Sequence, residues 1–231
     1  MFARDYRELA RENLQGNWKP SVITGMIACM LGGLIIGSAF FPEFEIKIEN
    51  QNFRNIADIF TYIFAHSGLA ISMVSALNLL HFILGGVIQL GYAQYLLNQH
   101  DRKAFQISDL FSKFDYFGAG FCQNFLRNLY VFLWSLLFVI PGIIANYRYA
   151  MTPFIMAEHP EMTASEAIRA SARMMQGNKW ELFCLHFSFI GWVLLCGLTL
   201  NIGNIFLNPY MNAAYAAFYR RVSVYDPYSE L

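Results

Sequence analysis

The side chains best suited to chemistry are polar groups that lie inside long apolar stretches of this sequence. One set recurs every three or four residues, the spacing of one helix face, and comprises Asn201, Asn204, Asn208, Asn212, Tyr215 and Tyr219. A second stretch has similar spacing and comprises Asn78, His81, Gly85, Gln89 and Tyr92. Such groups either hydrogen-bond across neighbouring helices or line a wet cavity. The sequence leaves both interpretations open.

Arg148 stands apart from these residues because it is a cation within an apolar stretch. It follows the Pro141–Gly142 pair, and a helix would place it about 9 Å from a turn there. No Asp or Glu lies in the interior of any predicted membrane segment to pair with it. Arg148 could extend to lipid headgroups, bond to backbone carbonyls, or bind a lipid phosphate or substrate carboxylate. The candidate polar pocket within the apolar segments comprises Arg148, Asn78, His81, Gln89, Asn204, Asn208 and Asn212.

No catalytic or metal-binding pattern accompanies these residues. His81 could relay a proton near neutral pH, but a histidine close to Asn78 also suits a structural hydrogen bond. The other histidines are dispersed and the four cysteines form no C-x-x-C pair, so no metal site is predicted. Phosphate-loop, nucleophile-elbow and dinucleotide-binding signatures are absent from the sequence. The sequence therefore predicts a protein without enzymatic activity and without a cofactor.

Composition places these polar residues in a membrane. The chain has 231 residues, 56% of them hydrophobic and only 14% charged, whereas soluble domains are about 25% charged. Its net charge of zero gives no reason to expect nucleic acid as a partner. About six stretches approach the ~20 apolar residues of a membrane-spanning helix, with bounds near 18–41, 68–97, 121–140, 143–158, 180–200 and 203–222. The predicted fold is all-α, a polytopic transmembrane helical bundle that forms a single domain of residues 1–231.

Amphipathic helices are predicted at the membrane surface next to these segments, over 1–17, 108–120 and 164–176. Charged residues surround an apolar face on the first of them. That face comprises Phe2, Tyr6, Leu9 and Asn13. Thr163 and Glu166 have the spacing of a capping box, which predicts where the last of the three begins.

Proline and glycine mark the predicted breaks between and within spans. Pro141 and Gly142 predict a turn between two antiparallel helices, and the second of them, 143–158, either spans the membrane fully or is re-entrant. Pro209 predicts a kink because proline cannot donate a backbone hydrogen bond. Segment 68–97 would be about 45 Å long as a straight helix, against a hydrocarbon core of about 30 Å. It must therefore tilt, bend near Gly85–Gly86, or protrude from the membrane.

Basic residues are distributed unevenly about the segments. When the chain is threaded through a bilayer, Lys47 and Arg54 fall on one side and Arg148 within a span, whereas the other Lys and Arg residues fall opposite. Because basic residues concentrate on the cytoplasmic side, both termini are predicted in the cytoplasm and the protein in the plasma membrane. The basic surface helices suit anionic lipid headgroups.

Small residues at Gly33-x-x-x-Gly37 and Ala213-x-x-x-Ala217 suit close packing, within the bundle or between copies.

Several longer strings point to a known family. They are Ile140–Tyr149, Ser165–Arg169, Met174–Lys179, Ser188–Trp192, Asn208–Tyr210 and Phe218–Tyr219. Together they resemble the bacterial integral membrane proteins catalogued as domain of unknown function 975, with the similarity densest over 133–221. The resemblance implies a plasma-membrane protein with a similar number of spans, mostly in Gram-positive bacteria, and implies no activity, substrate or catalytic residue. The family has a glycine near the position of Asn201, so the turn there is expected to differ.

Two classes of function fit these observations. The favoured class is a non-enzymatic membrane protein that acts in the cell envelope through contacts with lipids, with another copy, or with a membrane-protein partner. The competing class is a small transporter or channel-like protein whose polar cavity is built on Arg148, His81 and the asparagines of 203–222. Segments interrupted by proline favour transport, and the lack of a clear inverted repeat argues against it. The two classes differ in whether the polar helix faces contact water.

Overall fold

The computed structural model describes residues 2–32, 79–198 and 203–224, and these ranges contain helices and no strand. The predicted all-α class is confirmed for them. The helices are α1 (Ala3–Leu14), α2 (Trp18–Met30), α3 (Leu79–His100), α4 (Phe117–Leu137), α5 (Val139–Arg148), α6 (Thr152–Glu158), α7 (Ala164–Met174), α8 (Lys179–Phe187), α9 (Ile190–Leu198) and α10 (Asn204–Val224). Two 3₁₀ turns, Ile107–Phe111 and Phe114–Tyr116, precede α4.

Two helical stretches of the described residues are long and apolar enough to cross a membrane. They are Leu79–His100, which is α3, and Lys179–Gly197, which joins α8 and α9 across an irregular turn at Ser188 and Phe189. A core helix of a soluble protein can have the same length and composition. The later part of segment 18–41 and the first part of 68–97 lie outside the described residues.

The helix break predicted at Pro141 and Gly142 lies instead at Phe138. Phe138 has an extended backbone, with φ −161° and ψ 155°, between α4 and α5. Pro141 sits in the first turn of α5, where a helix requires no N–H donor from it. Gly142 permits the close approach of the two helices, because a Cβ there would lie 2.1 Å from the Ser135 hydroxyl oxygen. Both residues therefore help to form the hairpin without forming its turn.

Predicted segment 143–158 is divided between α5 and α6. Residues 149–151 form the turn between them. The hydroxyl of Ser171 in α7 bridges this turn, since it donates to the Arg148 carbonyl at 3.1 Å and accepts from the Met151 N–H at 3.2 Å. One buried side chain thus provides partners for backbone groups on both sides of the break.

The predicted surface helix over 108–120 is wrong. These residues form the two 3₁₀ turns and the first residues of α4. The Asp109 carboxylate accepts from the Gln106 N–H at 3.2 Å, and the Ser112 hydroxyl donates to the Asp109 carbonyl at 2.7 Å. Asp and Ser side chains compete in this way with helical backbone bonds, so the apolar periodicity of 108–120 does not yield one continuous α-helix.

The predicted capping box at the start of α7 is confirmed. The Thr163 hydroxyl accepts from the Glu166 N–H at 3.4 Å, and the Glu166 carboxylate accepts from the Thr163 hydroxyl at 2.7 Å and N–H at 2.9 Å. The bond from the hydroxyl, and then that from the N–H, lower the pKa of Glu166. Because the folded pKa is depressed, this contribution to stability is present at neutral pH and is lost as the pH falls through the folded pKa.

Helix α1 lies within the predicted amphipathic segment 1–17 and packs against α10 and α8. Its buried face comprises Tyr6, Ala10 and Leu14. Phe2, which the sequence pattern assigned to the apolar face, is 83% exposed because it precedes the helix as its N-cap. The ring centroid of Tyr6 lies 5.6 Å from that of Phe218 in α10. The first and last of the described helices are therefore in direct contact.

Buried and exposed apolar side chains separate along the helices. Nearly continuous buried stretches occupy the C-terminal half of α3, all of α6 except its last residue, and the middle of α10. Large exposed apolar side chains occupy the end of α2, the start of α3, the α4–α5 hairpin tip, α9 and the start of α10. At the hairpin tip, Leu136, Phe138 and Ile140 are 75%, 71% and 70% exposed. An apolar surface of this extent requires an apolar partner.

Glycines allow close backbone contacts around α3. The helix continues through Gly85 and Gly86, and a Cβ on Gly86 would lie 2.2 Å from the carbonyl oxygen of Gly120 in α4. A Cβ on Gly91 would lie 2.1 Å from the carbonyl oxygen of Leu110. These glycines serve close packing of α3 against α4 and the first 3₁₀ turn.

Replacing Gly86 with Ala is expected to destabilise the fold by about 1–3 kcal/mol. The added methyl group would meet the backbone of Gly120 rather than a movable side chain. The matched control is Gly118→Ala in the first turn of α4, where a Cβ meets no atom within 4 Å. Thermal unfolding of the detergent-solubilised protein measures both variants. Equal unfolding midpoints would show that α3 and α4 move apart at no cost, contrary to this expectation.

Candidate functional site

Every residue of the predicted polar pocket except Asn78 lies in the described part of the chain. Asn201, from the same helix face as the α10 asparagines, lies outside the described residues. His81 contacts the C-terminal end of α2, where its Nε2 atom is 2.6 Å from the Met30 carbonyl oxygen. Because a carbonyl can only accept, the neutral ring must carry its proton on Nε2. His81 therefore supplies a partner to one of the carbonyl groups that a helix end leaves unsatisfied.

Gln89 pairs with a glutamine of α4. The Gln123 Nε2 atom donates to the Gln89 Oε1 atom at 3.0 Å, and both side chains are buried. One turn along α4, Arg127 is only 7% exposed and donates to the Asn146 Oδ1 atom at 3.5 Å. Within the described residues, the Arg127 Nε and Gln123 Oε1 atoms are buried without a partner. These polar side chains thus connect α3, α4 and α5 to one another.

The asparagines of α10 differ in burial. Asn212 is only 1% exposed, and its Nδ2 atom donates to the Asn208 carbonyl at 2.8 Å. Its Oδ1 atom is buried with no partner among the described residues. Asn204 and Asn208 are half-buried. On this helix face, the Asn212 side chain therefore bonds within α10, at the turn that contains Pro209.

Arg148 lies at the C-terminal end of α5 and is half-buried. Its guanidinium carbon is 5.8 Å from the ring centroid of Tyr149, which packs with Tyr130 of α4 and Ile168 of α7. These contacts place Arg148 beside α4 and α7, whereas the asparagines lie on α10. A pocket that joins Arg148 to the asparagines remains a prediction.

A charged cluster that the sequence did not reveal joins α10 to the ends of α3 and α6. Arg220 donates through Nε and Nη2 to the two carboxylate oxygens of Asp101, at 2.8 and 2.6 Å. Its Nη1 atom donates to Glu158, and the Tyr219 hydroxyl donates to the other oxygen of Glu158 at 2.5 Å. The two-pronged bond to Asp101 is the strong geometry for an arginine–carboxylate pair. Arg220 therefore connects three helix ends that are distant in sequence.

A second charged cluster joins α10 to α1 and α8. The Tyr6 hydroxyl donates to the Glu181 carboxylate at 2.9 Å, and Arg221 donates to both Tyr6 and Glu181. Burial raises the pKa of Tyr6. The phenol therefore stays protonated at physiological pH and keeps its role as a donor to Glu181.

Two cavities of ligand size lie among the described residues. One of about 260 Å³ adjoins the first charged cluster and is bounded in part by Glu158, Arg173 and Tyr219. The other, of about 360 Å³, is mostly apolar and lies where α1, α2, α9 and α10 meet. Neither is lined by Arg148, His81, Gln89 or the asparagines of α10.

Within the described residues, no group of three or more His, Cys, Asp or Glu side chains could hold a metal ion.

Residues 136–225 match the model of a family described as "Protein of unknown function (DUF975)". The family predicted from the sequence strings is confirmed for this segment. The DUF975 segment begins at the end of α4 and contains α5 to α10. It therefore includes Arg148, the asparagines of α10, and both Arg220 and Arg221. No curated protein and no solved structure matches the chain.

Proposed function

We propose that this chain is a multi-pass plasma-membrane protein without enzymatic activity that acts in the cell envelope through contacts with lipids or with a membrane-protein partner. The exposed apolar surface carries the proposal. Of the 18 most apolar consecutive residues in Lys179–Gly197, only 22% are buried. Trp180, Phe187 and Leu194 are exposed along this stretch. An apolar core helix of a soluble protein would be buried all round, whereas a membrane helix presents such residues to lipid.

The predicted arrangement of six spans is revised at the α4–α5 hairpin. Helix α5 has 10 residues and a length of about 15 Å, half of a hydrocarbon core of about 30 Å. Residues 129–147 contain no charged side chain, so nothing at the Phe138 turn favours water. We place this hairpin within the membrane, entering from the cytoplasmic side and returning to it. Segments 18–41 and 68–97 then cross, segments 180–200 and 203–222 enter and leave on the cytoplasmic side, and both termini stay cytoplasmic.

The contacts of the polar side chains favour helix–helix bonding over a transport cavity. His81 bonds to the end of α2, Gln89 bonds to Gln123, and Asn212 bonds within α10. The first two of these bonds join different helices, and such interhelical bonds stabilise membrane bundles by about 0.6 kcal/mol each. The transporter alternative requires instead that water reach Asn212.

Thiol labelling of intact cells tests both parts of the proposal. The four native cysteines are replaced, and single cysteines are introduced at Asn204, Asn208, Asn212 and Lys103. An impermeant maleimide added from outside is expected to leave Asn212→Cys unlabelled, and to label Lys103→Cys only after the cells are permeabilised. Labelling of Asn212→Cys in intact cells would establish an aqueous cavity and make transport the better assignment. Labelling of Lys103→Cys in intact cells would overturn the orientation.

A further inference from the structure

The mostly apolar cavity is a groove between α1, α9 and α10, beside the start of α2. Its volume of about 360 Å³ is at the lower end of the range for small-molecule sites. Most of its surface is aromatic and aliphatic, from Trp18, Trp192, Leu195, Phe206, Leu207 and Tyr210. Among the described residues that line it, Arg11 alone carries a charge.

We propose that this groove binds one acyl chain of an anionic glycerophospholipid and that Arg11 binds the phosphate of the same lipid. The inference rests on the membrane location proposed above. It adds a defined site and a ligand class to that location.

The groove opens onto the surface that would face lipid. Trp192 and Trp18, which both line the groove, are 50% and 36% exposed. Val193 and Leu194, next to Trp192 on α9, are also exposed. An acyl chain of the surrounding bilayer can therefore enter sideways without crossing water. Tryptophan is enriched where hydrocarbon meets the headgroups, which is the depth of a lipid phosphate.

Tyr210 holds the walls of the groove in a fixed arrangement. Its ring centroid lies 6.5 Å from that of Trp18 and 5.3 Å from that of Phe189. Its hydroxyl donates to the Arg7 carbonyl at 3.3 Å. One side chain of α10 thus contacts α1, α2 and the turn before α9. Walls that are already ordered reduce the entropy lost when a flexible ligand binds.

Positive charge at the mouth of the groove is not neutralised by the described residues. Arg11 is exposed and forms none of their ion pairs. Arg7, one turn earlier on the same helix face, donates to the Ser188 carbonyl at 3.3 Å, and its buried Nε atom has no partner among the described residues. The nearby carboxylate of Glu8 is bound by Arg4 at 2.8 Å. A phosphate group suits Arg11 because a guanidinium group binds it through parallel hydrogen bonds.

The headgroup contact is tested by comparing Arg11→Gln with Arg4→Gln, which remove the same charge from the same helix. Arg4 does not line the groove and its side chain is 79% exposed. The purified full chain in mild nonionic detergent is titrated with phosphatidylglycerol and with phosphatidylcholine, and native mass spectrometry counts the bound lipids. Arg11→Gln is expected to weaken phosphatidylglycerol binding about tenfold, the loss of one hydrogen bond to a charged group. Arg4→Gln should leave it unchanged. Equal affinities of the two variants for phosphatidylglycerol would overturn the assignment.

The acyl chain contact is tested by a second matched pair on α9. Leu195 lines the groove and Leu194 does not, although both are exposed. Leu195→Asn should weaken phosphatidylglycerol binding several-fold relative to Leu194→Asn. Glycerol 1-phosphate, which has the phosphate but no chains, should not displace the lipid. If it displaces the lipid at equal concentration, the groove binds free phosphate groups and the lipid assignment is wrong.

A failure of the proposed membrane location would be recognised separately. Alkaline carbonate would then release the wild-type protein from membranes, whatever its affinity for lipid. If the protein stays in the membrane and all four variants bind phosphatidylglycerol equally, the location stands and the groove assignment does not.

Discussion

Replacing Arg220 with Gln is expected to lower the free energy of unfolding by about 2–4 kcal/mol. Breaking a fully buried ion pair costs about 3–5 kcal/mol, and here the side chains of Arg220, Asp101 and Glu158 are 20–26% exposed, so water compensates part of the loss. The variant removes the cation that the carboxylates of Asp101 and Glu158 share, and leaves Asp101 with Lys103 at 3.3 Å as its remaining ion-pair partner among the described residues. It also removes the bonds from the end of α10 to Asp101 and leaves Tyr219 as the α10 side chain that bonds to Glu158. Thermal and chemical unfolding in mild detergent measures the change.

The control for this prediction is Arg4→Gln. Arg4 also forms an ion pair at 2.8 Å, with Glu8, but the two side chains are 79% and 54% exposed, and such pairs contribute little. We expect no measurable change in its unfolding midpoint. Adding Asp101→Asn and Glu158→Gln to Arg220→Gln should recover part of the lost stability, because neutral partners need no cation. Equal midpoints for Arg220→Gln and Arg4→Gln would show that the Arg220 cluster contributes no stability.

A spin label attached at position 138 is expected to collide often with molecular oxygen and rarely with a water-soluble nickel chelate. Oxygen concentrates in hydrocarbon and the chelate stays in water, so the ratio of the two collision rates reports depth in the bilayer. The label is introduced as Phe138→Cys in a cysteine-free background and measured by electron paramagnetic resonance in vesicles. The proposed intramembrane hairpin, with its exposed apolar tip, predicts a position deep in the hydrocarbon.

The comparison site for the spin label is Lys103→Cys, in the polar loop after α3. Its side chain is 65% exposed, and its label should collide freely with the nickel chelate. The chelate could instead reach the label at position 138 as readily as the one at 103, and do so from the opposite side of sealed vesicles. The α4–α5 turn would then reach water on the far side of the membrane. The arrangement of six full spans would then replace the intramembrane hairpin.

Local features were predicted from the sequence where short-range chemistry determines them. The capping box of Thr163 and Glu166 depends only on residues three positions apart, and it forms as expected. The hairpin between α4 and α5 was also foreseen, although its turn lies at Phe138 rather than at Pro141. The position was missed because proline fits the first turn of a helix as well as it fits a turn between helices.

Long-range features could not be found in this way. Arg220 is 119 residues from Asp101, and Arg221 is 40 residues from Glu181. Charge counting assigned both arginines to the cytoplasmic side and said nothing about their partners. The groove is also beyond sequence patterns, because Arg11, Trp192 and Tyr210 come from three separate helices. Such sites depend on how helices pack, and no spacing rule within one segment records that packing.

The contact of α1 with α10 has a consequence for biosynthesis. Among the described helices, α1 leaves the ribosome first and α10 last, so Tyr6, Ala10 and Leu14 lack their final partners during almost all of translation. The covering of α1 is therefore a late event, and in its absence the N-terminal helix presents an uncovered apolar face to chaperones and proteases. A chain that stops before α10 therefore lacks its last described helix and also leaves the apolar face of α1 exposed.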